Sequence, residues 1–240
     1  MIVVDIGNTS IHWAKVKKEK IKRISRLDTQ RVSLKILKKV LGPYPEEKII
    51  ISSVVPSVTR IFKKLKNKIY VVGENLKVPI KCHYDKKRIG MDRLVNAYGA
   101  KYLYPKTRLV IDFGTAVTFD FLSKKGDYEG GLILPGLGSS LRVLSSCALL
   151  PSTITLKHTK TAIPKNTPES INKGIEEGFS AMVNTLVKKY KKTLRLSPQD
   201  KIIITGGEAS FILPSLSFPY IYEPFLIFKG FIVLEKTLKS

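Results

Sequence analysis

Two stretches of the chain share one pattern: Val3-Val4-Asp5-Ile6-Gly7-Asn8-Thr9 near the start and Val110-Ile111-Asp112-Phe113-Gly114-Thr115-Ala116 close to half a chain later. Each is an apolar, β-rich run that ends in aspartate and is followed by an apolar residue, a glycine and small residues. An alternating run then resumes, so each stretch predicts a β-hairpin. Because such a repeat indicates a duplicated unit, the sequence predicts two similar domains, 1–105 and 106–240.

Strand and helix patterns alternate along the rest of the chain, which predicts an α/β fold. Further strands are expected at 48–55, 69–72 and 201–204. Helices are expected at 33–41, 57–65, 92–104 and 169–194. The stretch 130–138 is so rich in glycine that the sequence predicts a mainly irregular segment there.

The chain is strongly basic, with 42 Lys and Arg against 19 Asp and Glu and a formal net charge of +23. Such an excess attracts polyanions, including nucleic acid, anionic lipid and phosphorylated small molecules. The basic residues are spread over many segments, without a basic tail or a zinc-finger spacing, so a solvated lysine surface is the preferred interpretation.

The remaining composition predicts a cytoplasmic protein without a membrane anchor. No apolar run approaches the roughly 20 residues that span a bilayer, and no signal peptide is visible at the start. Cys82 and Cys147 are too few for a disulfide framework and fit a reducing compartment.

The hairpins carry groups suited to binding a polyphosphate. Gly7 is expected to permit unusual backbone angles, so that N–H groups of the turn can point at one anion. Asp5 would repel bare phosphate but would bind a phosphate-bound Mg²⁺. One such hairpin alone would also fit an ordinary structural turn. Two hairpins together with a third glycine turn, Thr205-Gly206-Gly207, predict a two-domain protein that uses ATP.

Phosphoryl transfer also needs a group that accepts the proton of the acceptor, and Gly90-Met91-Asp92-Arg93 offers one. Asp92 can act as a base, while Arg93 can keep it ionised and pair with an anionic substrate. The same residues also fit a plain helix start, where the helix dipole favours Asp92. The three histidines, His12, His83 and His158, show no metal-ligand spacing.

With these motifs in place, the sequence resembles the type III pantothenate kinases, members of the superfamily of acetate kinase, sugar kinases, Hsp70 and actin. The resemblance spans nearly the whole chain and rests on Asp5-Ile6-Gly7-Asn8-Thr9, Gly90-Met91-Asp92-Arg93, Asp112-Phe113-Gly114-Thr115-Ala116, Gly131-x-x-x-Pro135-Gly136, Asn166-Thr167 with Gly174, and Thr205-Gly206-Gly207. It implies two ribonuclease-H-like domains with a nucleotide cleft between them, and a homodimer. It also implies transfer of the ATP γ-phosphate to the primary hydroxyl of pantothenate, the first step of coenzyme A biosynthesis.

The resemblance implies roles for individual residues. Asp92 would be the general base, Asp5 would lie near Mg²⁺ bound to phosphate, and Asp112 would bind a monovalent cation, K⁺ or NH₄⁺. The implied ATP contacts are Asp5, Ile6, Gly7, Asn8, Thr9, Ser10, Ile11, His12 and Thr115, with Gly206 and Gly207 on the adenosine side. The implied pantothenate contacts are Tyr84, Gly90, Met91, Asp92, Arg93 and Thr167.

Three features depart from the family pattern. Met91 stands where a small residue is usual and is expected to narrow the acceptor pocket. The segment from Tyr84 to Gly90 is one residue shorter than usual, and Glu208 replaces a frequent aspartate.

Two other functions stay open from the sequence. One is a nucleic-acid-binding regulator with structural hairpins, suggested by the charge, and the other is an enzyme of the same fold acting on another small alcohol.

Overall fold

Strands and helices alternate along the chain in the computed structural model, which describes residues 1–85, 88–145 and 154–238. The strands are β1 (Ile2–Ile6), β2 (Ser10–Lys17), β3 (Lys20–Asp28), β4 (Ile49–Ser53), β5 (Ile69–Val71), β6 (Thr107–Phe113), β7 (Ala116–Leu122), β8 (Tyr128–Pro135), β9 (Lys201–Thr205) and β10 (Ile221–Tyr222). The helices are α1 (Leu34–Leu41), α2 (Pro56–Phe62), α3 (Met91–Leu103), α4 (Leu137–Ser145), α5 (Thr167–Thr193), α6 (Ala209–Ile212) and α7 (Leu226–Glu235), with 3₁₀ turns at Leu213–Ser215 and Lys236–Leu238.

The strands form two five-stranded sheets with the same order. The first runs β3-β2-β1-β4-β5 and the second β8-β7-β6-β9-β10. In both sheets the first strand is central, antiparallel to the second strand and parallel to the fourth. This shared order confirms that the two hairpins begin copies of one α/β unit.

The structure divides into two compact units. The first contains Met1–Pro105, Asp127–Glu129 and Phe225–Ser240, and the second contains Lys106–Gly126 and Gly130–Pro224. The change of unit after Pro105 lies where the sequence predicts a boundary. The last segment differs from the prediction, because the sequence interpretation placed it in the domain 106–240.

Apolar packing explains why the C-terminal segment joins the first unit. On α7, Phe231 and Leu234 are fully buried in a core cluster that also contains Val3 of β1 and Val95 of α3. The opposite face of β1 packs against another cluster, which includes residues of α1 and α2. The first sheet therefore has helices on both faces, which is why all residues of the central strand β1 except Asp5 are apolar.

Helices α3 and α7 approach each other closely at two glycines. A Cβ atom added to Gly99 would lie 2.8 Å from the Cα atom of Gly230, and one added to Gly230 would lie 2.7 Å from the carbonyl oxygen of Val95. Neither site has room for a methyl group without a shift of backbone. This contact holds α3, whose first turn carries Asp92, against the core of the first unit.

We expect Gly99→Ala to lower the free energy of unfolding by about 1–3 kcal/mol, because the added methyl group must push the backbone of α7 away. Gly178→Ala is the matched control, since Gly178 also lies inside a helix but a Cβ there meets no atom of the described residues within 4 Å. The control is expected to gain roughly 1 kcal/mol from the better helix propensity of alanine. Urea unfolding of both variants measures the difference, and changes of the same sign would contradict the packing argument.

The sequence prediction of an irregular segment at 130–138 is wrong. Residues up to Pro135 continue β8, which pairs with β7 at the edge of the second sheet, and Leu137 begins α4. Gly130 has a φ of 129°, a conformation that favours glycine. Pairing within a sheet overrides the low strand propensity of glycine, most readily at an edge strand.

Strand β3 was not predicted, because its basic residues mask the pattern. The side chains at 17–20 and 22–23, around the turn that joins β2 to β3, are exposed, whereas Ile21, Ile24 and Leu27 of β3 pack against core clusters of the first unit. The exposure of this lysine-rich hairpin fits the interpretation of the charge as a solvated surface.

The sequence also led to expectations about a membrane anchor and about the two cysteines. In the part of the chain that the structure describes, no helix combines the length and the apolar character needed to cross a bilayer. Cys82 is a half-buried free thiol, and Cys147 lies outside the described residues.

Candidate functional site

A buried threonine, Thr29, forms hydrogen bonds to the turn between β1 and β2. The N–H group of Gly7 donates to the carbonyl oxygen of Ser10 at 3.0 Å, which closes the turn. The Thr29 hydroxyl donates to the carbonyl oxygen of Gly7 at 2.8 Å, and the Thr29 N–H donates to that of Thr9 at 3.3 Å. The tip of the hairpin, Asn8 and Thr9, is exposed. Sequence reasoning missed Thr29, which carries no motif.

The predicted contacts of this hairpin differ in what they offer a ligand. Ile6 and Ile11 are buried in the core, so only their backbone groups can contribute. The side chains of Asp5, Ser10 and His12 are half-buried near the turn. Burial, reinforced by the nearby charge of Arg26, lowers the pKa of His12, so its imidazole is neutral at neutral pH.

Gly7 does not have the unusual backbone angle that the sequence suggested. It is not among the glycines of positive φ, and its need for a small residue comes from a close approach instead. A Cβ atom there would lie 3.2 Å from the Ser10 carbonyl oxygen, a tighter contact than most side chains make. The hairpin keeps its compact turn because position 7 carries no side chain.

The second hairpin and the Thr205-Gly206-Gly207 turn pack directly against each other. Parallel pairing of β6 with β9 sets Asp112 beside Thr205. Gly206 has a φ of +100°, and a Cβ atom there would lie 2.5 Å from both Oδ1 of Asp112 and the backbone nitrogen of Phe113. The Glu208 N–H donates to the carbonyl oxygen of Phe113 at 3.0 Å. Only glycine fits at position 206, and its absent side chain lets the turn close over Asp112.

The start of α4 is hydrogen-bonded to the second hairpin. The N–H group of Gly136 donates to the carbonyl oxygen of Thr115 at 3.0 Å, and the Ser139 hydroxyl donates to the same oxygen at 2.6 Å. A Cβ atom on Gly136 would overlap the carbonyl oxygen of Gly114. We call the three segments 112–115, 136–139 and 205–208 the glycine cluster. The Thr115 side chain, at the tip of this hairpin, is exposed.

Glu208 contributes a half-buried carboxylate to the glycine cluster. Both of its oxygens lie 3.2 Å from the N–H nitrogen of Gly138 in the first turn of α4. Burial raises the pKa of Glu208, while the Gly138 N–H group and the charge of Arg142 oppose that rise.

Asp92 lies in the first turn of α3 with its carboxylate folded back onto Gly90, where a Cβ atom would overlap Oδ1. That oxygen is withdrawn from solvent and accepts no hydrogen bond from the described residues. Burial raises the pKa of Asp92, and this effect outweighs the lowering by the backbone N–H and the charge of Arg93. A plain helix start leaves its acidic residue solvated, so burial with a raised pKa is typical of a functional carboxylate.

Arg93 stacks on an aromatic residue that sequence reasoning missed. Its side chain is only 6% exposed, and its guanidinium carbon lies 5.9 Å from the ring centre of Tyr128. Tyr128 is fully buried and meets Tyr84 edge to face, with ring centres 6.4 Å apart. Backbone hydrogen bonds of 2.8 Å join Tyr128 to Lys81 and His83. Tyr128 lies far from Arg93 in sequence, and no motif marks it.

Met91 packs into the first unit beside Gly73. A Cβ atom on Gly73, whose φ is +88°, would lie 2.7 Å from the Met91 sulfur. The methionine also contacts the core cluster that holds α7. Its side chain is half-buried, and the expectation that it narrows an acceptor pocket stays a prediction.

Thr167 is the first residue of α5, in the second unit. The Asn166 side chain caps this helix by accepting a 3.0 Å hydrogen bond from the Glu169 N–H, so the helix begins two residues before the expected position 169. The exposed Thr167 lies at the polar end of a groove of about 910 Å³ that follows one face of α5. Its floor is apolar and includes Ile171 and Phe179.

Asp5 and Asp112 are the carboxylates that the sequence suggests as cation ligands. In the described segments, no three His, Cys, Asp or Glu side chains gather at one point. Asp5 and Asp112 are half-buried and end the central strands of their sheets. Carboxylate oxygens are ligands that Mg²⁺ prefers, and Mg²⁺ usually keeps waters and phosphate oxygens among its other ligands.

Comparison with known proteins identifies the family that the chain resembles. A family model described as type III pantothenate kinase matches residues 1–189. A type III pantothenate kinase from Persephonella marina is 33% identical over 244 residues, covering 95% of this chain and 94% of that protein. Another from Geobacter sp. (strain M21) is 32% identical over 261 residues and covers both chains completely.

Solved structures share the fold. One described as a Baf family transcriptional activator from Campylobacter jejuni has a TM-score of 0.65 at 21% identity, covering 100% of this chain and 99% of that one. Spiroplasma citri MreB5 bound to ADP has a TM-score of 0.52 at 12% identity, covering 99% and 96%. At these identities the likeness is one of fold alone. It confirms the predicted class, an actin-like ATPase fold of two ribonuclease-H-like domains.

Proposed function

The chain belongs to the type III pantothenate kinase family, and from this premise we propose that Asp92 is the general base of its reaction. The enzyme is an ATP-dependent kinase that phosphorylates pantothenate in coenzyme A biosynthesis. The observation that carries the proposal is the Asp92 oxygen that is buried and accepts no hydrogen bond from the described residues. An acceptor site of this kind suits a substrate hydroxyl.

In the proposed mechanism the protein positions the reactants and removes one proton. A carboxylate oxygen of Asp92 accepts the proton of the primary hydroxyl as the hydroxyl oxygen attacks the γ-phosphorus. The bond between the γ-phosphorus and the bridging oxygen breaks, and ADP leaves. Because phosphoryl transfer depends mostly on alignment and charge neutralisation, one base on a rigid helix suffices.

We propose that the two hairpins contact the phosphates of ATP. In the first hairpin, we assign the phosphate contact to the exposed tip at Asn8 and Thr9, and Asp5 to His12 form the rest of that loop. In the second, the exposed Thr115 serves the same purpose. Gly206 and Gly207 are assigned to the adenosine side, where a backbone without side chains allows close approach.

We propose cation roles for the two strand-end carboxylates, which have the hard oxygen donors that these ions prefer. Asp5 would hold Mg²⁺ together with phosphate oxygens, and Asp112 would hold K⁺ or NH₄⁺. When bound, such cations neutralise the charge of the transferring phosphoryl group.

The proposed pantothenate contacts are Tyr84, Gly90, Arg93 and Thr167, with Met91 contributing through its backbone because its side chain packs against the core. Arg93 is assigned to the substrate carboxylate, and its stacking on Tyr128 supports a fixed guanidinium orientation. A homodimer in the cytoplasm is also part of the proposal, and sedimentation of the purified protein tests the oligomeric state.

The function is tested by measuring ADP release from ATP with a panel of small alcohols that includes pantothenate. With Mg²⁺ and K⁺ present, we expect turnover that depends on pantothenate and falls when either cation is omitted. Turnover with another alcohol in preference to pantothenate would reassign the substrate. Absence of any alcohol-dependent ADP release would overturn the proposal.

A methyl group at Gly90 is expected to reduce kcat roughly 10- to 100-fold, because it displaces the Asp92 carboxylate that lies against this residue. The fold should tolerate Gly90→Ala, since the backbone angles of Gly90, φ −63° and ψ 130°, suit any residue. In an Asp92→Asn background the same change should have little further effect on kcat. Additive losses in the double variant would show that Gly90 acts independently of Asp92.

A further inference from the structure

We propose that Glu208 is a positioning residue for nucleotide binding, whose carboxylate holds the start of α4 against the second hairpin. The inference rests on the proposed assignment of that hairpin to the nucleotide. It concerns a residue that sequence reasoning noted only as a departure from the family pattern.

The Glu208 carboxylate provides a negative charge next to the first turn of α4. Both oxygens lie 3.2 Å from the Gly138 nitrogen in that turn. A Cβ atom on Gly138 would lie 2.5 Å from Oε1 of Glu208, so the glycine leaves the space that the carboxylate fills. A negative charge at this end of a helix is favourable, because the first N–H groups have no partners within the helix.

The start of α4 in turn holds the hairpin tip. The carbonyl oxygen of Thr115 accepts hydrogen bonds from both the Gly136 N–H and the Ser139 hydroxyl. These two residues flank the helix turn that Glu208 holds. If the carboxylate is lost, the turn loses its anchor and the backbone at Thr115 loses two fixed donors.

The backbone of Glu208 fixes the same hairpin from the other side. Its N–H group donates to the carbonyl oxygen of Phe113 at 3.0 Å. Gly206, two residues earlier, packs its Cα atom against Asp112 and Phe113. Glu208 therefore joins all three segments of the glycine cluster, two through its backbone and one through its side chain. A shorter aspartate would place the carboxylate one methylene farther from α4.

The kinetic test compares Glu208→Ala with Glu208→Gln. We expect Glu208→Ala to raise KM for ATP about 10-fold, with KM for pantothenate changed less than about 2-fold, because a charge-assisted anchor on the nucleotide side is lost. Glu208→Gln keeps an oxygen that accepts an N–H group, so a rise of about 3-fold is expected. Glu177→Ala is the control, because Glu177 is an exposed residue of α5 outside the glycine cluster.

Two further measurements separate positioning from a merely structural role. Hydrogen–deuterium exchange of residues 136–144 should be faster in Glu208→Ala than in the wild type, while the melting temperature of Glu208→Gln should stay near that of the wild type. Binding of a non-hydrolysable ATP analogue, measured by calorimetry without pantothenate, should weaken by the same factor as KM rises. Unchanged analogue binding in both variants, or equal effects on both substrates, would overturn the inference.

This design also separates the inference from the proposed function. If the wild type binds the analogue but shows no pantothenate-dependent turnover, the function fails. Weaker binding in the Glu208 variants would then still support the positioning role.

Discussion

Asp92→Asn is expected to lower kcat by about 10²–10⁴, the range for loss of a general base, with little change in the melting temperature. Asparagine has nearly the same size as aspartate, so the contact with Gly90 and the helix start are kept. What is lost is the basicity of the carboxylate, because an amide oxygen does not take up the hydroxyl proton. The change is measured as ADP release at saturating ATP and pantothenate.

The pKa of Asp92 gives this prediction a pH dependence. The base must be ionised to act, so the activity of the wild type should fall as pH drops through the pKa of Asp92. Because burial raises that pKa, the fall should lie above the region of an ordinary aspartate, about 3.9. The variant should lack this acid limb in its residual rate.

The same pKa shift fixes the sign of the effect on stability. A carboxyl group whose pKa is raised on folding binds protons more tightly in the folded state, so its contribution to stability decreases as pH rises from the unfolded pKa through the folded one. Above that window the ionised Asp92 destabilises the fold. Asp92→Asn should therefore be at least as stable as the wild type at neutral pH, as measured by thermal unfolding.

Asp28→Asn is the control for this variant, because Asp28 is an exposed aspartate of the first unit whose contact with the Gln30 N–H an asparagine can keep. It should retain the wild-type kcat. A near-normal kcat in Asp92→Asn would remove Asp92 from the mechanism. A large loss of stability there would instead indicate that its carboxylate supports the fold.

Gly206→Ala is expected to lower the free energy of unfolding by about 2–3 kcal/mol and to reduce kcat/KM for ATP about 10²-fold. Two causes act together. The φ of +100° is strained for any residue with a side chain, and the methyl group would lie 2.5 Å from the Asp112 carboxylate and the Phe113 nitrogen. Since both contacts belong to the second hairpin, the strain is released by moving the proposed nucleotide site.

Gly207→Ala is the matched control for folding. It makes the same change one residue later, where φ is not in the positive range and a Cβ atom meets no atom of the described residues within 4 Å. Urea unfolding should show Gly207→Ala near the wild type and Gly206→Ala clearly less stable. Equal unfolding free energies for the two variants would contradict the close contact at position 206.

The predictable parts of the fold are those written in short stretches of sequence. Both hairpins, the helix that begins at Gly90-Met91-Asp92-Arg93 and the turn at Thr205 to Gly207 depend on turn residues and periodicity within about ten residues. The long helix α5 was also predicted, after Pro168, although the structure begins it two residues earlier than the expected Glu169. Local chemistry of this kind is the same in any tertiary context.

The missed features depend on partners that are distant in sequence. Glycines at 130–138 suggest a loop until pairing with β7 makes them part of β8 and a helix start. The contact between Tyr128 and Arg93 is visible only in the structure, because the two residues are far apart in sequence. The proposed role of Glu208 depends on its hydrogen bond with Gly138, which lies 70 residues away in sequence.

By itself, then, the amino-acid order determined the duplicated α/β unit, the hairpins and the position of Asp92 at a helix start, because backbone preferences and periodic burial act over a few residues. Only the tertiary structure decided that α7 packs with the first unit, that the Oδ1 atom of Asp92 is buried beside Gly90 and that three glycine segments meet at the second hairpin. Burial and close approach are properties of neighbours in space, and a carboxylate changes its proton affinity only when those neighbours remove its water.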